Sequence, residues 1–192
     1  WWFLPALIVG QARCRTRLIG DAGESHKSML ARFAPMAKEQ IDAVPVVAPE
    51  LTFDDTCRLH LGDLTLRLEY FGRAHTDNDI VIAIEEHQLS FAGDLIEESG
   101  PPIVFEGFPG EWGPTLRRLE QVPESRFIPG HGREVDRRFV AAQRRAFEEA
   151  AQACARSGNA EAAQHALSDH VRAVLGQQAE FAVQRWFETA GS

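Results

Sequence analysis

Over residues 51–71 apolar and polar side chains alternate with a period of two. Leu59 and Leu61 precede Gly62-Asp63, and beyond that pair Leu64, Leu66, Leu68 and Tyr70 alternate with Thr65, Arg67 and Glu69. Successive side chains of a strand point to opposite faces, so the pattern predicts a hairpin with one wet face, closed by the Gly-Asp turn. Residues 80–84 are apolar on both faces and predict an inner strand, 88–92 predict the next, and Arg126-Phe127-Ile128 a last one before Pro129. A helical period takes over elsewhere. Met29, Phe33, Met36 and Ile41 mark a helix over 25–41 that Pro35 breaks or kinks, and Trp112, Leu116 and Leu119 mark one side of a short helix. Residues 15–19 are expected to form a strand, and 97–110, rich in Gly, Pro and Phe, a surface loop or lid.

From Arg137 onward the texture is Ala, Gln, Arg and Glu without strand signals. Helices are expected over 139–155 and 160–190, with Gly158 as a stop, Asn159 as an N-cap and Gly176 as a divider. Leu167, Val171, Val174, Leu175, Phe181 and Trp186 need a cover, which the α/β body or a second copy in a tail-mediated homodimer would supply. The expected division is an α/β domain over 1–136 and a helical carboxy-terminal extension over 137–192. The opening run, Trp1 to Val9, is apolar but shorter than the roughly 20 residues of a membrane span. It lacks the basic region and cleavage site of a signal peptide, which points to the cytoplasm and to no membrane partner. With no initiator methionine or cap before it, it reads as the interior of a longer protein.

Composition narrows the class. A chain of 192 residues with 44% apolar content has the substance for one domain with an appendage. The net charge of -8 argues against a nucleic-acid partner, since tracking phosphates needs a basic face. Cys14, Cys57 and Cys154 are widely spaced, so neither a disulfide framework nor a thiolate zinc knuckle is expected.

Three islands carry the candidate chemistry: Gly72-Arg73-Ala74-His75-Thr76, Phe91-Ala92-Gly93-Asp94 and Pro129-Gly130-His131-Gly132. Each sets one metal-capable side chain in a glycine-rich loop just past a predicted strand. Strand ends gather along one sheet edge, so His75, Asp94 and His131 could converge on one divalent ion. An ionised Asp94 beside a buried strand would need a cation or donors around it. A lone His next to Gly is more often a hydrogen-bonded loop residue; the ordered set of three shifts the balance towards a metal. His26, His60, His87 and His165 are read as surface or turn residues, Asp169-His170 as a solvated helical pair, Trp112 as a core anchor and Asp79 as a residue that could orient a ligand.

These islands, followed by Asp77-Asn78-Asp79-Ile80-Val81, resemble the third-histidine, bridging-aspartate and last-histidine motifs of the metallo-β-lactamase superfamily, in family order, over residues 8–136. The resemblance implies an αββα sandwich with one or two zinc ions at the sheet edge; His and Asp donors also accept iron, manganese or cobalt. It further implies that Asp94 bridges the metals as the catalytic residue, that His75 and His131 complete their imidazole sets, and that a metal-bound hydroxide attacks an ester, thioester, lactone or amide of a small-molecule substrate. The family's opening H-x-H-x-D-H signature does not occur here. From the usual spacing to His75 it would fall just before Trp1, so the expectation is an amino-terminally truncated piece, inactive or metal-poor by itself, with an incomplete first half of the sandwich. Mononuclear iron oxygenase and nuclease readings belong to the same fold. The alternative of a different class is a non-catalytic binding or scaffold module.

Overall fold

The computed structural model describes residues 6–190. Contacts divide the chain into two compact units, Trp1–Asp54 and Asp55–Ser192, a boundary distinct from the change of texture near residue 137. The Trp1-to-Pro5 part of the apolar opening lies outside the described residues.

In the first unit, β1 (Val9–Gln11) pairs in parallel with β2 (Leu51–Phe53). Between them come α1 (Ala12–Ile19), α2 (Ala22–Phe33), a 3-10 turn at Pro35–Ala37 and α3 (Lys38–Ala43). The strand expected over 15–19 is therefore α1. There Arg13, Arg15 and Arg17 alternate with Cys14, Thr16 and Leu18 and imitate a two-residue period. The helix wins through its cap, the Gln11 side chain accepting the Arg13 N–H at 2.5 Å. Pro35 ends α2 as expected, because it cannot donate within the helix.

The second unit is built on a six-stranded sheet in the order β3-β4-β5-β6-β7-β8. The predicted hairpin is β3 (Thr56–Leu61) and β4 (Leu64–Glu69), in register Leu59↔Leu66. β5 (Val81–Ile84) and β6 (Leu89–Glu97) follow antiparallel. β7 (Arg126–His131) then runs parallel to β6, which requires a crossover, supplied by α4 (Pro109–Glu120). A short β8 (Val135–Asp136) closes the order. Two strands outrun the apolar runs that announced them: β6 continues through Asp94 to Glu97, and β7 reaches His131, so both residues sit in the last part of strands and not in loops.

α5 (Arg137–Arg156) starts at an Asp136 cap that accepts the Arg138 and Phe139 N–H groups at 3.0 Å. It lies against α4, with Phe147 stacked on Trp112 at 4.4 Å between ring centroids. Gln143 of α5 is buried and reads the backbone of β6: Nε2 donates to Leu95 O at 2.8 Å and Oε1 accepts from Glu97 N–H at 3.3 Å. Trp112, Phe127, Phe147, Leu95, Ile96 and Leu116 form the centre of the core, each fully buried. The tail is α6 (Ala160–His165), α7 (Asp169–Leu175) and α8 (Gln178–Thr189). Asn159 caps α6 as expected, while a further break at 166–168 has Ser168 Oγ capping the Val171 N–H at 3.2 Å. Val171, Leu175 and Val183 join the core, so the body itself covers most of the tail's apolar face; Phe181 stays exposed. His170 is half-buried with its Nε2 3.1 Å from Ala142 O, and so is anchored to α5 rather than solvated.

Candidate metal centre

The turn that delivers His75 is fixed from both sides. Thr115 Oγ1 of α4 donates to Arg73 O at 2.9 Å, and Phe108 N–H donates to Ala74 O at 2.7 Å. Beyond His75, Asp79 folds the loop back on itself. Its Oδ2 accepts the Thr76 N–H and its Oδ1 the Thr76 hydroxyl, both at 2.7 Å, while Asn78 N–H donates to Thr76 Oγ1 at 3.1 Å. Asp79 Oδ1 also stands 3.7 Å from His75 Nδ1, and Trp112 packs edge-on against the imidazole at 5.9 Å. The ring is thus held on its Nδ1 side by a carboxylate and on one face by a buried indole, leaving Nε2 directed at Asp94, with 3.9 Å to Oδ2.

Asp94 reaches that position through an irregularity in β6. The β6–β7 register shifts between Phe91 and Gly93 and again between Gly93 and Glu97, with Gly93 at φ +56°, a conformation that favours glycine. The shift leaves Gly130 against Asp94 so closely that a Cβ there would lie 1.7 Å from Oδ1 and 2.9 Å from Asp94 N. Only a residue without a side chain fits this cradle. One residue on, His131 Nε2 lies 3.7 Å from Asp94 Oδ1. The two imidazoles therefore face different oxygens of one carboxylate.

Glu97 gave no signal in the sequence. It opposes His131 in the β6–β7 register and is 6% exposed, with Oε1 accepting the Ile103 N–H at 3.2 Å. Burial raises its carboxyl above the ordinary range and the Asp94 charge adds to this, against the Ile103 hydrogen bond and the charges of His131 and His75. His75 has burial pulling its imidazolium down, but the facing carboxylate of Asp79, with Asp94 and Glu97, outweighs it and raises the pKa above 6.5. A carboxylate behind a long strand's end, ahead of Gly and Pro, reads as the start of a loop; only the register with β7 shows that it is buried at the site. His26, His60, His87 and His165 lie on α2, β3, the 3-10 turn Glu85–His87 and α6, as read from the sequence.

The donors suit a divalent ion in kind. The N···O gaps of 3.7 and 3.9 Å are too long for hydrogen bonds. They sit a few tenths of an ångström beyond the roughly 3.4 Å spanned by two ligand bonds of about 2.1 Å at a tetrahedral centre. In number the donors fall short: each imidazole shares only Asp94, and among the described residues no group of three or more His, Cys, Asp or Glu side chains is arranged to hold an ion.

The architecture is that of the metallo-β-lactamase fold, α/β with a carboxy-terminal helical region. Solved structures similar to this chain include a metallo-β-lactamase from Pontibacter korlensis, 19% identical, with a TM-score of 0.50 over 60% of this chain and 54% of that one. The metallo-β-lactamase IND-7 is 13% identical, with a TM-score of 0.54 over 73% of this chain and 56% of its own. VMB-1 is also 13% identical, at 0.52 over 74% and 57%. The chain spans little more than half the length of these structures. No family model matches it, and neither does any curated protein.

Proposed function

We propose that this chain carries part of the metal centre of a zinc-dependent hydrolase, with His75, Asp94 and His131 as ligands. The observation that carries the reading is the approach of two Nε2 atoms, from separate elements, to opposite oxygens of Asp94 at 3.9 and 3.7 Å. A bound zinc would supply a hydroxide at neutral pH by lowering the pKa of water to about 7. The chain's own residues do the positioning. Asp79 and Trp112 hold the His75 ring, Gly130 makes room for the Asp94 carboxylate, and the β6–β7 pairing places His131 beside it. The buried Glu97 carboxylate adds negative potential behind the three and favours a cation among them.

The reaction class proposed is attack on an ester, thioester, lactone or amide carbonyl of a small molecule. Calorimetric titration with zinc, with Asp94→Ala alongside, tests the ligand assignment: binding in the parent and its loss in the variant, with an unchanged far-UV spectrum, is the expected result. Equal zinc binding by both would remove Asp94 from the centre. A non-catalytic module on the same fold is favoured by the short count of donors among the described residues. Zinc-dependent turnover of any member of an ester, thioester, lactone and lactam panel would exclude it.

A further inference from the structure

We infer that Arg185, on the carboxy-terminal helix α8, is a positioning residue for the candidate centre: through the segment 104–108 it holds the turn that delivers His75. That His75 is a metal ligand rests on the hydrolase reading; that Arg185 fixes its turn does not.

The segment between β6 and α4 belongs to no helix or strand, so its carbonyls need donors from elsewhere. Arg185 supplies two. Its Nε donates to Gly107 O at 3.0 Å and Nη2 to Glu106 O at 3.4 Å. The same guanidinium pairs with Glu188 at 3.2 Å and lies 5.9 Å from the centre of the Phe108 ring. A planar fork can meet two successive carbonyls and an aromatic ring together, whereas an ammonium is a single point. The next residue of α8 braces the same region, for a Cβ on Gly110, in the first turn of α4, would come within 3.1 Å of the Trp186 indole.

What Arg185 grips is what touches the His75 turn. Phe108 N–H donates to Ala74 O at 2.7 Å, one residue before His75. The Phe108 ring also lies 4.6 Å from the guanidinium of Arg73, two residues before His75. Gly107 passes so near that a Cβ there would stand 2.9 Å from Ala74 O and 3.1 Å from Cζ3 of Trp112, whose indole packs against the imidazole. Both supports of the turn, the hydrogen bond at Ala74 and the indole beside His75, therefore meet the two residues next to the Arg185 contacts. Taking away the guanidinium frees the segment on its α8 side, and the loss reaches Ala74 through Phe108.

The test compares the complete chain with Arg185→Met, which keeps an apolar stem and removes the donors. In the metal-free, ¹⁵N-labelled proteins, amide exchange at Phe108 should speed up by about fivefold, the equivalent of one hydrogen bond, while Val183, on the buried face of α8, should not change. Calorimetric zinc titration should show affinity about tenfold weaker, the lower end of the loss caused by disturbed ligand orientation. Glu188→Gln leaves both carbonyl bonds in place and should match the parent in both measurements. Unchanged exchange at Phe108, or an equal rise at Phe108 and Val183, would overturn the proposal, the second by showing that Arg185 only holds α8 on the body. Zinc affinity equal to the parent's, or an effect of Glu188→Gln as large as that of Arg185→Met, would overturn it too. Should Arg185→Met not fold, Arg185→Lys, which keeps the charge but not the fork, is read by the same comparison of Phe108 with Val183. A parent that binds no zinc would refute the ligand assignment, and the exchange measurements alone would then decide whether Arg185 holds the turn.

Discussion

Adding one methyl group at Gly130 is the sharpest perturbation of the candidate centre. The Cβ of Gly130→Ala would stand 1.7 Å from Asp94 Oδ1, 2.8 Å from Cγ and 2.9 Å from the backbone N. Real Cβ contacts keep beyond 3.0 Å, so the carboxylate oxygen must retreat by at least 1.3 Å, the difference between 3.0 and 1.7 Å. The backbone nitrogen is part of β6 and yields much less, so rotation of the Asp94 side chain has to absorb most of the change. Ligand positions tolerate only about 0.2 Å before a metal site degrades. The displacement is several times that, and it acts on the one group that faces both imidazoles. Zinc affinity should fall by at least about 10- to 100-fold, the loss seen when ligand orientation alone is disturbed. The strained pairing of β6 and β7 should cost about 1–3 kcal/mol of stability, as overpacking does. Calorimetric zinc titration reads the first and urea unfolding followed by far-UV circular dichroism the second. Gly158→Ala, whose Cβ would meet nothing within 4 Å, is the matched control and should change neither. If Gly130→Ala keeps the parent's zinc affinity, the cradle is not part of a metal centre.

Three further outcomes follow from the packing. Arg67 donates to Glu69, Glu85 and, with two bonds of 2.9 and 3.0 Å, to Glu124, whose side chain is 1% exposed. Arg67→Met should cost about 3–5 kcal/mol in urea unfolding because it strands a buried charge, and adding Glu124→Leu should recover most of that; a loss under about 1 kcal/mol would refute the buried-pair account. Ser90 Oγ is buried without a hydrogen-bond partner among the described residues, so Ser90→Ala should stabilise by about 1 kcal/mol in the same assay, and destabilisation would show that the hydroxyl is satisfied. Glu97 has a carboxyl raised chiefly by burial, so its contribution to stability is present below the unfolded carboxylate range, about pH 4, and is lost as pH rises through the folded value. Metal-free parent protein should therefore lose stability relative to Glu97→Gln as pH rises above about 4 through the raised folded value, and a difference independent of pH would refute it.

Much of the architecture was legible because burial writes a period into the chain. The hairpin of β3 and β4 follows from the alternation at Leu59 to Tyr70, and α4 from Trp112, Leu116 and Leu119, all expressions of a one-sided environment. The errors arise where a local interaction overrode the period. Gln11 turned an alternating stretch into α1, and Ser168 cut a continuous helical pattern in two. At the site, His75, Asp94 and His131 were visible through their glycine-rich surroundings. The residues that hold them were less so: Asp79 was read as able to orient a ligand, but Trp112 as a core anchor, and Glu97 was invisible because its burial comes from a strand pairing with a residue 34 positions away. Sequence reports the faces of an element well, and reports poorly which distant element closes over it.

The same contrast bears on where selectivity would reside. The residues of the candidate centre are set by the pairing of β6 with β7 and by α4 beneath His75, an arrangement in which any shift of more than a few tenths of an ångström is felt at Asp94. A cavity with Glu97, Pro101, Pro102, Phe139, Gln143 and Val174 in its wall is different in construction. Its walls come from the segment after β6 and from α5 and α7, and only Glu97 and Gln143 are tied to the strand that carries Asp94. Side chains at Pro101, Pro102, Phe139 and Val174 can change without moving the centre, whereas Glu97 cannot. A rigid edge that bears the reactive groups and a separately built wall beside it is the arrangement in which chemistry and substrate choice vary independently. The helices after residue 137 thus do more than cover the sheet: α5 and α7 supply Phe139, Gln143, Ala173 and Val174 to the wall of this cavity.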